Sequence, residues 1–338
     1  MPTIREVDAQ DERWQRFCAS HSTLTLFQSP NWANVIARTY GFAMRVLLVL
    51  ENDAVLGGLP FAHIEDFRGP RRVALAFADN IEPAPTQLWD LIEAWIAKDD
   101  LPWVIRSMCK PTERAASQHV AASHHAIDLP DSFEAAAARF HIKHVQNLKQ
   151  ADKAALRHRR LDSSEGIDSF YALHSQVRKS KHRLLPQPRA FFDAIYEEFF
   201  PRHGFVMLAE HDEAVISAML FVACGKTLYY KFSASAQDML TLRPNHFLIT
   251  KAIEVAIGEG YRRLDLGISD TEGLMRFKAR IGGTESPVYV ARYHPREKTE
   301  AVAQIERSLG DLTEILTGPE IPVEAAQRGG EVLYRYFA

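Results

Sequence analysis

The stretch Leu228–Gly283 reads LYYKFSASAQDMLTLRPNHFLITKAIEVAIGEGYRRLDLGISDTEGLMRFKARIGG. Its pattern is strand, loop, helix, strand, loop, helix. The loop before the first helix carries Arg243-Pro244-Asn245, the second strand ends in Asp265-Leu266-Gly267, and the last helix carries Phe277-Lys278 ahead of Gly282-Gly283. The first backbone N–H groups of a helix have no intrahelical partner, and the helix dipole favours negative charge beside them. A helix start facing a strand end is therefore where α/β proteins hold anionic ligands.

Upstream of this stretch, His158–Leu161 is expected as a short strand. Ile167, Phe170, Tyr171, His174 and Val177 share one helical face, which predicts a helix over Ile167–Ser180. Pro186-Gln187-Pro188 interrupts the chain before an aromatic-rich helix, Phe191–Phe200. Strands are expected at Phe205–Glu210, Ala214–Cys224 and Thr227–Ala234, joined by the short turns His211-Asp212-Glu213 and Gly225-Lys226. A helix over Asn245–Gly258 follows, with Asn245 as its N-cap and Gly258 or Gly260 as its stop. Strand Arg263–Leu266, helix Gly273–Arg280 and strand Pro287–Tyr293 complete the order β-α-α-β-β-β-α-β-α-β.

The first half repeats that order more faintly. Strand Thr3–Val7, helices Glu12–Ala19 and Asn31–Arg38, and strands Ala43–Leu50, Ala54–Ile64 and Arg71–Phe77 are followed by helix Gln87–Ile96, strand Trp103–Ser107, a helix at Thr112–His119 and a short strand at His125–Asp128. A duplicated fold is expected from element order, without a residue-level repeat. The expected domains are 1–131, a basic helical connector over 132–160, a second domain over 161–295, and a helix and tail over 296–338. The connector Ser132–Arg160 reads as one long helix, with Lys143, Lys149, Lys153, Arg157, Arg159 and Arg160 around an apolar stripe. That basic run, with Lys179, Lys181, His182 and Arg183, is either a solvated surface or a polyanion site. The tail helix Arg296–Leu316 has an apolar seam too short for a free coiled coil, so it packs on the body or forms a dimer contact. Val323–Ala338 carries no assignable pattern.

A chain of 338 residues has room for two domains, and 46% hydrophobic with 25% charged residues is a globular balance. The formal charge of −3 gives no global pull toward nucleic acid, which argues against a DNA partner and confines any polyanion site to a local patch. Cys18, Cys109 and Cys224 are far apart and lack metal-ligand spacing, so reduced thiols and a cytoplasmic location are expected. The opening MPTIREVDAQDERW has no apolar signal core, and no run reaches the ~20 apolar residues of a membrane span. The fourteen histidines form no ligand motif, so no metal is expected.

The element order, with Pro244-Asn245, Asp265-Leu266-Gly267 and Gly273-Leu274-Met275-Arg276-Phe277-Lys278, resembles the GNAT acyltransferase superfamily. It is closest to the FemAB-type branch, including BioF2-like acetyltransferase domains. Gln28-Ser29-Pro30-Asn31-Trp32, Tyr40-Gly41, Gly57-Gly58-Leu59-Pro60 and Phe77-Ala78-Asp79 add weaker echoes, and the resemblance spans about residues 20–293. It implies a mixed α+β (α/β) fold of tandem GNAT-like domains, each a mixed, mostly antiparallel sheet flanked by helices. The first domain would be degenerate and the second catalytic. Two departures stand out. The helix-entry loop Leu242-Arg243-Pro244-Asn245-His246-Phe247 has no glycine, unlike the usual pyrophosphate-binding loop, and Pro244 has no N–H to donate. The long coiled-coil insertion of some tRNA-using relatives has no room here.

The implied reaction is attack of an amine on an activated acyl group, aided by alignment, oxyanion stabilisation and removal of the amine proton. The donor is an acyl-thioester, acyl-CoA or a carrier-bound form, or else aminoacyl-tRNA. The acceptor is an amine of a cell-envelope precursor or small metabolite. By resemblance Lys278 stabilises the oxyanion or holds a donor phosphate; a solvated lysine between Arg276 and Arg280 is the plainer alternative. Arg243, Asn245, His246, Ser233 and Phe277 are expected on the donor side, although Asn245 alone suffices as a helix cap worth ~1 kcal/mol. Asp265 accepts a proton or orients the acceptor, or it bonds N–H groups of its own turn. Alternation puts Tyr229, Lys231 and Ser233 on one strand face and Tyr230 and Phe232 on the other. One tyrosine is core and the other holds a carbonyl or the amine; Tyr230 is the catalytic candidate, and Tyr229 and Asp79 are acceptor-side candidates. The rival expectation is a non-catalytic binding protein on the same scaffold.

Overall fold

The computed structural model describes residues 2–21 and 24–338; Met1, Ser22 and Thr23, which fall in the first expected domain, lie outside the described residues. In chain order, β1 (Thr3–Asp8), α1 (Glu12–Ser20), α2 (Pro30–Tyr40), β2 (Ala43–Glu51), β3 (Ala54–Ile64), β4 (Arg71–Ala74), α3 (Trp89–Ile96), β5 (Trp103–Ser107) and β6 (Ser117–Asp128) form the first half. Then come α4 (Phe133–Ala137), α5 (Ile142–Lys153), β7 (Arg157–Leu161), α6 (Ser164–Ser180), α7 (Arg189–Phe199), β8 (Gly204–His211), β9 (Ala214–Cys224) and β10 (Thr227–Ser235). Finally come α8 (Pro244–Gly258), β11 (Arg263–Ser269), α9 (Glu272–Arg280), β12 (Thr284–Tyr293), α10 (Glu300–Leu316) and α11 (Val323–Leu333). The chain divides into two compact units: Met1–His124 with Ser286–Ser308 and Arg335–Ala338, and His125–Glu285 with Leu309–Tyr334.

In the first unit the strand order is β1-β2-β3-β4-β5-β12, with the start of β6 beside β12. The paired neighbours are antiparallel except β4 and β5, which run parallel. β2 is apolar and buried from Val46 to Leu50, as a strand covered on both faces must be. α2 has its signals in sequence: Ser29 accepts the Trp32 N–H, Pro30 occupies the first turn, and Gly41 closes the helix in the left-handed region at φ 71°. Trp14, Trp32 and Trp103 are fully buried in this unit.

Three expectations fail here. The strand expected over Arg71–Phe77 ends at Ala74, and Phe77 turns into the left-handed region at φ 56°. The helix expected from Gln87 begins as a 3-10 turn, Thr86–Leu88, before α3. Thr112–His119 is not a helix: its second part is the beginning of β6, and the Ala116 N–H donates to the Arg292 carbonyl at 2.9 Å. Tertiary pairing overrides a helix-forming composition at this point.

In the second unit the order is β11-β10-β9-β8-β7, with the end of β6 beside β11. β7 to β10 are antiparallel, and β10 and β11 are parallel. Phe170 and His174 of α6 and Phe191 and Phe192 of α7 pack tilted or edge-on against Phe232 on one face. α8 lies on the other, its Leu248, Ile249, Ala252 and Ile253 buried with Met219 and Phe221 of β9. α8 is apolar over most of its surface because α4 and α5 cover its outer side.

The expected single helix over Ser132–Arg160 is three elements. His141 breaks it by capping α5, its Nδ1 accepting the Lys143 N–H at 3.1 Å while its own N–H donates to the Arg280 carbonyl. Ala155, at φ 51°, then turns the chain into β7. Two members of the second basic cluster are engaged by the chain itself: Lys179 Nζ donates to the Gly318 carbonyl at 2.8 Å and Arg183 donates to the Thr317 carbonyl, while Lys181 and His182 are exposed. The stretch with no legible pattern, Val323–Ala338, forms α11 and a 3-10 turn at Tyr334–Phe337.

The two units share a detail below the level of element order. The β2–β3 hairpin turns through Asn52-Asp53 and the β8–β9 hairpin through Asp212-Glu213, all four residues at positive φ. Each hairpin also shifts register at the same place before its turn, at Val49/Leu50 and at Ala209/Glu210. The fold is thus tandem and mixed, with sheets flanked by helices.

Candidate active site

β10 and β11 pair only through Thr227↔Arg263, Leu228↔Leu264 and Tyr229↔Asp265, although β10 runs on to Ser235 and β11 to Ser269. Beyond Tyr229 and Asp265 the two strands part, which leaves an opening in the sheet of the second unit. On its other edge β10 stays paired with β9, but its register shifts between Tyr230 and Phe232. Lys231 is the extra residue of a β-bulge, and a bulge reverses the side-chain alternation that follows it. The expected alternation therefore fails. Tyr230 packs on Phe221 toward α8, whereas Phe232 joins the rings of α6 and α7. Tyr230 and Ser233, expected on opposite faces, share one: the Ser233 hydroxyl interacts with the Tyr230 phenol, whose pKa burial pushes up to about 12. At neutral pH that phenol is a proton donor. Tyr229 is buried opposite Asp265.

At the end of β11, Gly267 connects two candidates. Its N–H donates to Asp265 Oδ1 at 2.8 Å, and its carbonyl accepts from Lys278 Nζ at 3.0 Å. Lys278 also donates to the Ile268 carbonyl at 2.7 Å and is only 4% exposed. The plain alternative of a solvated lysine is thereby removed, since its ammonium sits against the strand end. Asp265, 8% exposed, makes the turn contact its position suggested. Gly267 lies at φ 69°, the left-handed conformation that the turn requires and glycine adopts freely.

The start of α8 differs from expectation. The cap is Arg243, left-handed at φ 61°, and Pro244 takes the first helical position, where its fixed φ and missing N–H cost nothing. Asn245 is thereby moved inside the first turn and is not the N-cap. Its Oδ1 accepts from Ser235 Oγ at 2.6 Å and Ser217 Oγ at 3.1 Å. Arg243 Nε donates to Gln150 Oε1 at 3.0 Å, and Gln150 Nε2 donates to the Thr241 carbonyl, so α5 braces the loop.

His246 is turned toward α5. Asn147 Nδ2 donates to His246 Nε2 at 3.0 Å, which makes Nδ1 the protonated nitrogen; it meets His144 Nδ1 at 2.7 Å, and His144 Nε2 meets Thr250 Oγ1 at 2.9 Å. The Thr250 hydroxyl donates to the His246 carbonyl. Every member of the chain is satisfied only with both rings neutral. Burial pushes His144 down to about 3, helped by His246, and His246 down to about 4, helped by the positive Arg243 and Arg280. The Phe277 ring stands edge-on to His246 at 5.0 Å.

The structure thus gathers Tyr229, Tyr230, Ser233, Arg243, Asn245, His246, Asp265, Phe277 and Lys278 on β10, β11, α8 and α9 of the second unit. Asp79 belongs to the first unit, after β4. The serines that hold Asn245 and the α5 residues that hold His246 were not singled out from sequence. A serine interrupting the apolar run of β9 and another closing β10 were the available signs. Among the described residues no group of three or more His, Cys, Asp and Glu gathers for a metal ion, and no helix is long and apolar enough to cross a membrane.

Residues 141–279 match the model of the acetyltransferase (GNAT) domain. Over 90% of its length the chain has the fold of FemX, at TM-score 0.61 and 14% identity, covering 99% of that protein. L-PGS from Bacillus licheniformis matches over 89% of this chain and 97% of its own, at TM-score 0.55 and 10% identity. The C-terminal domain of a candidate lysylphosphatidylglycerol synthetase from Agrobacterium fabrum matches over 90% and 96%, at TM-score 0.54 and 15% identity. A comparison with curated proteins gives no match. Residues 141–279 thus match a GNAT acetyltransferase domain, and the chain around them shares its fold with FemX.

Proposed function

We propose that the second unit transfers an acyl or aminoacyl group from an activated, phosphate-bearing donor to the amine of a small metabolite or cell-envelope precursor. One observation carries this reading: the opening between β10 and β11 is bounded by the Lys278 ammonium at the end of β11 and flanked on β10 by residues that face the start of α8. A donor carbonyl in the opening would lie between a fixed cation and the N–H groups of the helix start. Charge that develops on its oxygen during amine attack would then be stabilised without reorganisation. The neutral Tyr230 phenol supplies a further O–H donor, and Asp265 or water receives the amine proton.

Two donor types fit. A thioester of coenzyme A would place its phosphates at Arg243 and the first turn of α8. An aminoacyl-tRNA end is favoured by α5, whose solvent side presents Lys143, Lys149 and Lys153, with Arg157 just beyond, and no ion pair to a described residue. Arg159 and Arg160, by contrast, pair with Glu210 and Glu259.

The test is thermal unfolding with millimolar acetyl-CoA, coenzyme A and a longer acyl-CoA, alongside bulk aminoacylated tRNA. Ligand at 100 times its dissociation constant stabilises by ~2.7 kcal/mol, a shift of several degrees. A shift with the thioesters selects that donor, and a shift only with charged tRNA selects the other. Neither shift would leave the acyl-transfer reading without a donor and overturn it.

A further inference from the structure

Ser217 and Ser235 face each other in register on β9 and β10, and both are buried, at 0% and 6% exposure. Their hydroxyls are 2.8 Å apart, and both reach the same acceptor, Asn245 Oδ1. A carboxamide oxygen has two lone pairs and a serine hydroxyl one proton: Ser235 gives its proton to Asn245 Oδ1 at 2.6 Å, and the Ser217 proton is shared among Asn245 Oδ1, Ser235 Oγ and the Ala234 carbonyl at 3.3 Å. The amide plane is then fixed, with its oxygen toward the sheet. The opposite end, Nδ2, donates to no described residue. The backbone N–H groups of Asn245 and His246, in the same first turn of α8, have no intrahelical acceptor.

We infer that Ser217 and Ser235 are positioning residues of the acyl-donor site, holding the Asn245 carboxamide so that its NH2 group is presented to a carbonyl or phosphate oxygen of the donor. The inference rests on the donor-site reading above and deepens it. A helix cap would not need this arrangement, because Arg243 and Pro244 already begin the helix. The buried hydroxyls are also poorly explained by packing alone, since apolar residues of the same size would fill the space without a hydrogen-bond requirement. Their effect is to remove one of the two orientations available to an amide. Loss of the serines would allow the amide to turn over and offer an acceptor where the donor needs N–H.

The test has two parts. In 15N-asparagine-labelled protein, with Asn245→Asp used for assignment, the Asn245 side-chain amide should give one dispersed proton pair. In Ser217→Ala/Ser235→Ala that pair should move toward the free-amide position, while Ser235→Thr, which keeps the hydroxyl, should retain it. Dissociation constants for acetyl-CoA and for aminoacylated tRNA are then measured on the same proteins. The double serine variant and Asn245→Asp should each weaken whichever probe binds wild type by about tenfold or more, and Ser235→Thr should restore it. An amide signal that ignores the serines, or binding that ignores them while wild type binds, overturns this inference alone. If neither probe binds wild type, the donor-site reading falls and takes this inference with it. Should the double variant fail to fold, Ser235→Ala alone serves, since it removes the shorter bond to Asn245 and leaves Ser217 in place.

Discussion

Each unit contains a parallel strand pair three residues long, and the two pairs end differently. In the first, Arg72↔Trp103, Val73↔Val104 and Ala74↔Ile105 are followed by chain that closes the gap. Ile81 N–H donates to the Arg106 carbonyl, Ala84 bridges to Gly58, and the Glu82 carboxyl accepts from Met108 N–H at 2.7 Å and Asn80 Nδ2 at 2.9 Å. In the second, β10 remains paired with β9, and among the described residues β10 does not pair with β11 past Asp265, where the Lys278 ammonium takes the Gly267 and Ile268 carbonyls. The same local topology is spent on internal hydrogen bonds in one unit and left open in the other. The difference is the ground for the donor site proposed above: it lies where β10 and β11 part without a crossing segment between them.

The largest expected effect is on the second unit's response to acid. His144, His174 and His246 are held neutral, with His174 pushed down to about 3 chiefly by burial. An imidazole with a lowered folded pKa binds fewer protons than its unfolded form below pH 6.5, so its contribution to stability is complete above that value and is lost as the pH falls toward 3 to 4. Each should cost about 1 to 2 kcal/mol by pH 5. Glu82 behaves oppositely: burial raises its pKa, so the folded first unit binds the extra proton and loses that contribution as the pH rises through the folded value. Hydrogen exchange at pH 5 and 7, corrected for intrinsic rates, should show protection lost mainly in peptides of 125–285. Equal loss in both units would break the contrast.

Next in size is Glu82→Ala. It leaves the Met108 N–H and the Asn80 amide without their buried acceptor, which costs about 1 to 3 kcal/mol. Urea unfolding should register the loss, and donor affinity should not change. A loss of donor binding would show that the first unit's strand ends are not merely structural.

Lys278→Ala should lower turnover with the donor that binds by at least tenfold, about 1.4 kcal/mol. Full activity in a folded variant removes Lys278 from the mechanism and favours a non-catalytic scaffold. The smallest effect is on the solvent side of α5: Lys149→Glu/Lys153→Glu should leave stability within about 0.5 kcal/mol. It should also weaken charged-tRNA binding and flatten its salt dependence if that is the donor.

Much of the fold was legible in the sequence because apolar alternation and turn residues agree with the final pairing. Ala54–Ile64, Trp103–Ser107 and Ala214–Cys224 fall where the pattern puts them. The failures have physical causes that a local reading does not contain. β6 is a strand because of the neighbour it pairs with, and the 132–160 segment is broken by His141, whose cap is visible only once α5 is placed. The site residues named from motifs do gather in the second unit, except Asp79. Their hydrogen-bond partners were hidden, since Ser217, Asn147 and Gln150 lie 28, 99 and 93 residues from the groups they hold.

The bulge at Lys231 gives β10 something like a reading frame. A strand has two phases, and every side chain downstream of an inserted residue is read in the other one. Before the bulge, Tyr230 faces α8; after it, the phase is reset so that Phe232 enters the aromatic cluster while Ser233 and Ser235 return to the α8 side. Were Lys231 taken into the ladder as an ordinary residue, the rest of the strand would be misread, turning Ser235 away from Asn245 and Phe232 out of its rings. One irregular residue thus keeps Phe232 in the core while Ser233 and Ser235 face the start of α8.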